Sequence, residues 1–113
     1  MADSLVLEVD AMRCAAESAC ALMKVLSNPD RLLLLCQLAE GERNVGELQE
    51  ALGIVQPTLS QQLAVLREEE LVETRREGKN IYYRVASPQV LAVLEVLYAQ
   101  YCATPKTNKR NRK

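Results

Sequence analysis

The sequence predicts a mainly helical α+β fold, a winged helix–turn–helix in the order α-α-α-α-β-β-α, and three observations carry it. Residues 44–71, NVGELQEALGIVQPTLSQQLAVLREEEL, read as two short helices joined by a tight turn. Two alternating segments, Val72–Arg76 and Asn80–Ala86, follow across EGK as a β-hairpin, the wing. Longer apolar-striped helical segments flank this unit on both sides.

The elements follow in order. Residues 8–26 form a first helix, with Val9, Met12, Ala16, Ala19, Met23 and Leu26 on one stripe. Asn28-Pro29 restarts the chain, Asn28 as N-cap and Pro29 as first helical residue. The second helix, to about Glu40, contains RLLLLCQLAE, apolar almost all round and therefore central; Gly41 ends it. Asn44 N-caps the third helix, and Glu47, three residues on, can reach back to complete a capping box. Val45, Leu48 and Leu52 repeat at helical spacing, and Gly53 suits the stop. The fourth helix starts near Gln56-Pro57, with Leu59, Leu63 and Leu66 on one face. In the hairpin, Ile81, Tyr83 and Val85 alternate with Tyr82, Arg84 and Ala86, and Gly78 serves the turn. Ser87-Pro88 opens a last helix to about Cys102, in which Val90, Leu94, Leu97 and Tyr101 share a face. Residues 1–103 thus form one winged helix–turn–helix domain, and 104–113 are expected to be a basic, disordered tail.

Composition narrows the class. The 113 residues are 49% hydrophobic without Phe or Trp, so Leu, Val and Ala build the core. No stretch is long and apolar enough to cross a membrane, and MADSLVLEVDAMR lacks the pattern of a secretory signal. A cytoplasmic location is expected, where four cysteines do not form a structural disulfide framework.

The front of the fourth helix carries Gln56, Thr58, Ser60 and Gln61. Amides and hydroxyls both donate and accept hydrogen bonds, which reading base edges in the major groove requires. Net charge is −1, but its distribution matters more than its sum. The first seventy residues are acidic, including the block Glu68-Glu69-Glu70, whereas Arg75, Arg76, Lys79 and Arg84 cluster in the wing. Arg75, Arg76 and Lys79 are expected on phosphates or in the minor groove. The apolar first and last helices exceed what one small domain can hide, which predicts a homodimer through them. A palindromic operator on double-stranded DNA needs such a dimer.

Four cysteines, Cys14, Cys20, Cys36 and Cys102, and no histidine set the limits of the remaining chemistry. A His-rich zinc site is excluded, and no metal or other cofactor is expected. A soft-metal site would need Cys14, Cys20 and Cys36 or Cys102 to converge. Cys14 and Cys20 lie six apart on one helix, about 9 Å along its axis, and cannot bond to each other without unwinding it. A thiol oxidoreductase is disfavoured, since there is no CxxC and no His to act as base; the protein is expected not to be an enzyme. A winged helix used only for protein contacts would not need the amide-rich helix front or the basic wing.

LSNPDRLLLL, VGELQEALG, PTLSQQLAVLREEELV and REGKNIYYRV together resemble the ArsR/SmtB-type repressors over roughly residues 20–102. Within that family the chain is most similar to the thiol-based, sulfide- and persulfide-responsive branch that includes the biofilm growth-associated repressors. That branch has one Cys in the second helix and one at the end of the last, positions held here by Cys36 and Cys102. The resemblance implies that these two meet within a subunit and act as the redox-sensing pair. It also implies release from operator DNA when they are oxidised or bridged by reactive sulfur species; the metal- or arsenite-responsive repressor is the alternative in the same family. A direct disulfide needs Cα atoms about 4.4–6.8 Å apart, whereas a polysulfide bridge spans a longer gap. Two departures from the family pattern stand out. Gln62 replaces the usual His of SQHL, and Val55 replaces the Ser or Thr before Gln-Pro. The second forfeits an N-cap worth about 1 kcal/mol.

Overall fold

Side-chain caps set three of the helix starts. The computed structural model describes residues 2–102, and the tail from 104 lies outside the described residues. Helix α1 (Ala2–Leu26) gives way to α2 (Pro29–Ala39), whose N-cap Asn28 accepts from the Arg31 backbone N–H at 3.0 Å. Helix α3 (Val45–Leu52) opens with the full capping box. Asn44 accepts from the Glu47 N–H at 2.8 Å, and the Glu47 carboxylate accepts from the Asn44 N–H at 2.9 Å. Gly53 closes α3 in the left-handed region (φ 70°), its N–H donating to the Gln49 carbonyl. Helix α5 (Pro88–Tyr101) starts on Ser87, whose hydroxyl accepts from the Val90 N–H. Helix α4 (Gln56–Glu68) differs, because Val55 at its N-cap offers no side-chain hydrogen bond.

The end of α4 is a Schellman turn built on an unusual residue. The Leu71 N–H donates to Leu66 and the Glu70 N–H to Arg67, with Glu70 at φ 64° where glycine is the ordinary choice. Leu66 and Leu71, the residues bracketing that turn, are both buried.

Between α2 and α3 lies strand β1 (Arg43–Asn44), absent from the sequence expectation, so the observed order is α-α-β-α-α-β-β-α. Two residues show no periodicity, and this strand exists only through distant partners. Arg43 pairs with Tyr83 and Asn44 with Tyr82 of β3 (Asn80–Val85). Strand β2 (Val72–Glu77) pairs with the other edge of β3, giving an antiparallel sheet in the order β1-β3-β2. Glu77 pairs with Asn80 across a two-residue turn, where Gly78 adopts φ 63° as the first turn residue.

The core is aliphatic. Leu34 and Leu35 of α2, Leu48 of α3, Leu59, Leu63 and Leu66 of α4 and Val90 of α5 are all but inaccessible. Among the described side chains, helix α1 contributes only Val25 and Leu26, with Leu22 against them, and residues 8–21 are exposed throughout. The helix also runs further than the expected start at residue 8, since no Pro or Gly stops it. The radius of gyration, 17.1 Å, exceeds the roughly 13 Å of a compact domain this size, as a projecting helix requires.

Candidate nucleic-acid interface and thiol pair

Burial of Leu59, Leu63 and Leu66 fixes how α4 is turned. The opposite face, with Gln56, Pro57, Ser60, Gln61 and Ala64, is exposed, and Thr58 is half-buried. No acidic side chain occupies the first turn of α4, so nothing there repels a phosphate backbone. The polar residues expected to read DNA therefore lie along one accessible helix, apart from Thr58, which is partly shielded.

Gln62 has another task. Its side-chain oxygen accepts from Arg31 Nη1 at 2.9 Å, while Arg31 Nε donates to the Val25 carbonyl at 2.7 Å. One guanidinium thus joins the end of α1 and the start of α2 to the middle of α4. Sequence reasoning missed this joint, whose partners lie 31 residues apart; the only local signal was Gln62 itself.

The wing divides its cations. Arg75 donates to Glu42 from Nε (2.9 and 3.2 Å), pairs with it through Nη2 (2.9 Å) and pairs with Glu77 through Nη1 (2.6 Å). Its guanidinium also lies over the Tyr82 ring, 4.9 Å from the centroid. The hydrogen bonds from Arg75 hold the Glu42 carboxyl below its ordinary range, and those to Glu42 and Glu77 raise Arg75 further. Arg84 is paired with Glu73. Arg76 and Lys79 are exposed and make no ion pair among the described residues. Of the three wing residues singled out in the sequence, two are free toward solvent and Arg75 is occupied by carboxylates.

All four cysteines are free thiols and exposed in the single chain. Cys36 is therefore not the buried small hydrophobe that its setting in LLLLCQL would allow. Its thiol is pushed up by partial burial first, then by the charges of Cys102 and Glu40. Cys102, 66 positions away at the end of α5, is thus within electrostatic reach of Cys36. Cys14 and Cys20 stand on the exposed part of α1. Among the described residues no three His, Cys, Asp or Glu side chains gather as a metal site, and no helix is long and apolar enough to cross a membrane.

Residues 28–74, from the α2 cap to β2, match the bacterial regulatory protein arsR family. The biofilm growth-associated repressor of Agrobacterium fabrum is 52% identical over 98 residues, covering 87% of this chain and 83% of that one. The chain belongs to the ArsR family. The crystal structure of the repressor BigR from Xylella fastidiosa superposes with a TM-score of 0.79 at 48% identity, covering 84% of this chain and 97% of that one. Reduced HlyU from Vibrio cholerae follows at a TM-score of 0.78 and 40% identity, covering 81% and 97%. This ArsR-family protein is accordingly a winged-helix transcriptional regulator of the biofilm growth-associated repressor type, and not an enzyme.

Proposed function

We propose that this ArsR-family regulator is a cytoplasmic repressor. It binds double-stranded operator DNA as a homodimer when reduced and lets go when Cys36 and Cys102 become bridged by reactive sulfur. The observation that carries the switch is the placement of two exposed free thiols, Cys36 on α2 and Cys102 at the end of α5, with Cys102 near enough to help raise the Cys36 thiol. Gln56, Thr58, Ser60 and Gln61 address base edges and phosphates, and Arg76 and Lys79 supply the wing's charge. Arg75 joins them where a phosphate displaces Glu42. The dimer forms through α1 and α5, where Met12, Met23, Val96, Tyr98 and Tyr101 leave more than half their surface exposed in the single chain.

The chemistry balances without an external oxidant other than the sulfur donor. Each thiolate attacks a sulfane sulfur of an inorganic polysulfide and expels the shortened chain, leaving a persulfide. One persulfide anion then attacks the cysteine-bound sulfur of the other, and hydrosulfide leaves. The product is a trisulfide, Cys36–S–Cys102, in which the donor's zero-valent sulfur has been the oxidant. Such a bridge ties the end of α5 to α2, the helix whose Arg31 grips α4. Bridging needs to favour a non-binding arrangement by only about 2.7 kcal/mol to lower operator affinity a hundredfold.

The test is a gel shift on a duplex enriched from a random pool, paired with intact-mass measurement. Polysulfide should release the wild type and add one sulfur less two hydrogens per subunit. Cys36→Ser and Cys102→Ser should bind and ignore polysulfide, while Cys14→Ser and Cys20→Ser should respond normally. Release of Cys102→Ser as readily as wild type overturns the two-cysteine switch. Release by one equivalent of arsenite, with polysulfide inert, replaces sulfur sensing with metalloid sensing.

A further inference from the structure

Three interior helices of this chain start on a side-chain cap, and the reader helix starts on a valine. The Val55 carbonyl accepts the Leu59 N–H at 2.9 Å, so the helix begins there, yet its side chain satisfies no backbone donor. Nor is Val55 packed: 62% of its surface is exposed. Among the described residues, every other exposed large apolar side chain lies on α1, α2 or α5. Val55 alone stands in the helix–turn–helix. Two residues on, Pro57 has no N–H, so the tip of α4 combines two apolar groups around Gln56 and offers little to a phosphate.

The tip of a recognition helix is the part that enters the major groove. The apolar feature presented there is the C5-methyl group of thymine, which small aliphatic side chains meet by direct contact. We infer that Val55 reads a thymine methyl in each half-site, a specificity contact added to those of the polar residues behind it. The inference rests on the DNA-reading role of α4 proposed above.

The test uses duplexes enriched by the reduced wild-type protein from a random pool, then remade with single thymines replaced by deoxyuridine. This removes one methyl and leaves base pairing intact. At one thymine per half-site, the replacement should weaken wild-type binding about fourfold, the value of one buried methyl group. Val55→Ala should bind the thymine and deoxyuridine duplexes equally. Val55→Ser, which restores a cap and so keeps the helix formed, should do the same. Deoxyuridine effects absent everywhere, or identical in wild type and both variants, overturn the inference while leaving DNA binding intact. A pool that yields no enriched sequence overturns the DNA-reader reading, and this inference with it.

Discussion

The Cys36 thiol is raised by partial burial and by the charges of Cys102 and Glu40, and one of these causes can be removed cleanly. A raised thiol carries less thiolate at neutral pH and reacts more slowly with electrophiles. Cys102→Ser should therefore lower the Cys36 value. In a background lacking Cys14 and Cys20, alkylation of Cys36 by iodoacetamide should quicken at alkaline pH, where a Cys102 thiolate would otherwise oppose ionisation, and the midpoint of its pH–rate curve should move down. An unmoved midpoint would separate the two thiols in solution. The sign for stability is the usual one for a raised group. The neutral Cys36 thiol favours the folded state below its unfolded value, and that contribution fades as pH rises through the folded one. A second residue invites the opposite kind of change. Glu70 sits in the left-handed region, which costs a side chain with a Cβ roughly 1–2 kcal/mol, and it belongs to the run Glu68-Glu69-Glu70. Glu70→Gly should raise unfolding free energy in urea by about 1 kcal/mol without altering the transition's slope. A loss of stability would mean that Glu70 makes a favourable contact beyond its backbone role.

At the scale of elements, the wing behaves as a partly neutralised hairpin. Glu42→Gln should release Arg75 toward DNA, tighten binding to all sequences and steepen the salt dependence by about one released ion per wing. Lys79→Ala should flatten it by a similar amount. Equal slopes in Glu42→Gln and wild type would show that Arg75 keeps a structural place at the wing's root even on DNA. These partnerships also mark where the sequence stops being legible. Asn28, Asn44 with Glu47, Gly53 and Ser87 announce helix boundaries because each acts on backbone groups within four residues of itself. The hairpin was legible through its alternation and Gly78. Strand β1, the Arg75–Glu42 pair and the Arg31–Gln62 joint were not, because each depends on a partner some 30 to 40 residues away. Position within a motif located the polar residues of α4 well, yet could not tell that Gln62 turns inward while Gln61 stays free.

The whole molecule is a small aliphatic body with a long helix projecting from it. Val90 and Leu94 of α5 belong to the chain's own core, so the apolar stripe read from the sequence is divided between two purposes. A charge at Leu94 tests folding, and a charge at Val96, exposed by 59%, tests association. Val96→Asp should give a folded monomer by light scattering, with helical content close to wild type and much weaker operator binding. Leu94→Asp should unfold the domain, since it buries an unpaired charge. A wild-type protein that is monomeric at micromolar concentration would remove the dimer from the proposal.

The absence of Trp and Phe leaves four tyrosines as the main ultraviolet chromophores, and none of them belongs to the fully buried core. Tyr82 lies beneath the Arg75 guanidinium on the wing, with Tyr83 next to it, and Tyr98 and Tyr101 stand exposed near the end of α5 beside Cys102. The fully buried core carries no chromophore, and Tyr83 alone of the four packs against it. Near-ultraviolet absorption and emission of this protein therefore report on the wing and on the terminal helix. Unlabelled protein thus carries one intrinsic optical probe at the surface proposed for DNA and another beside the proposed thiol switch.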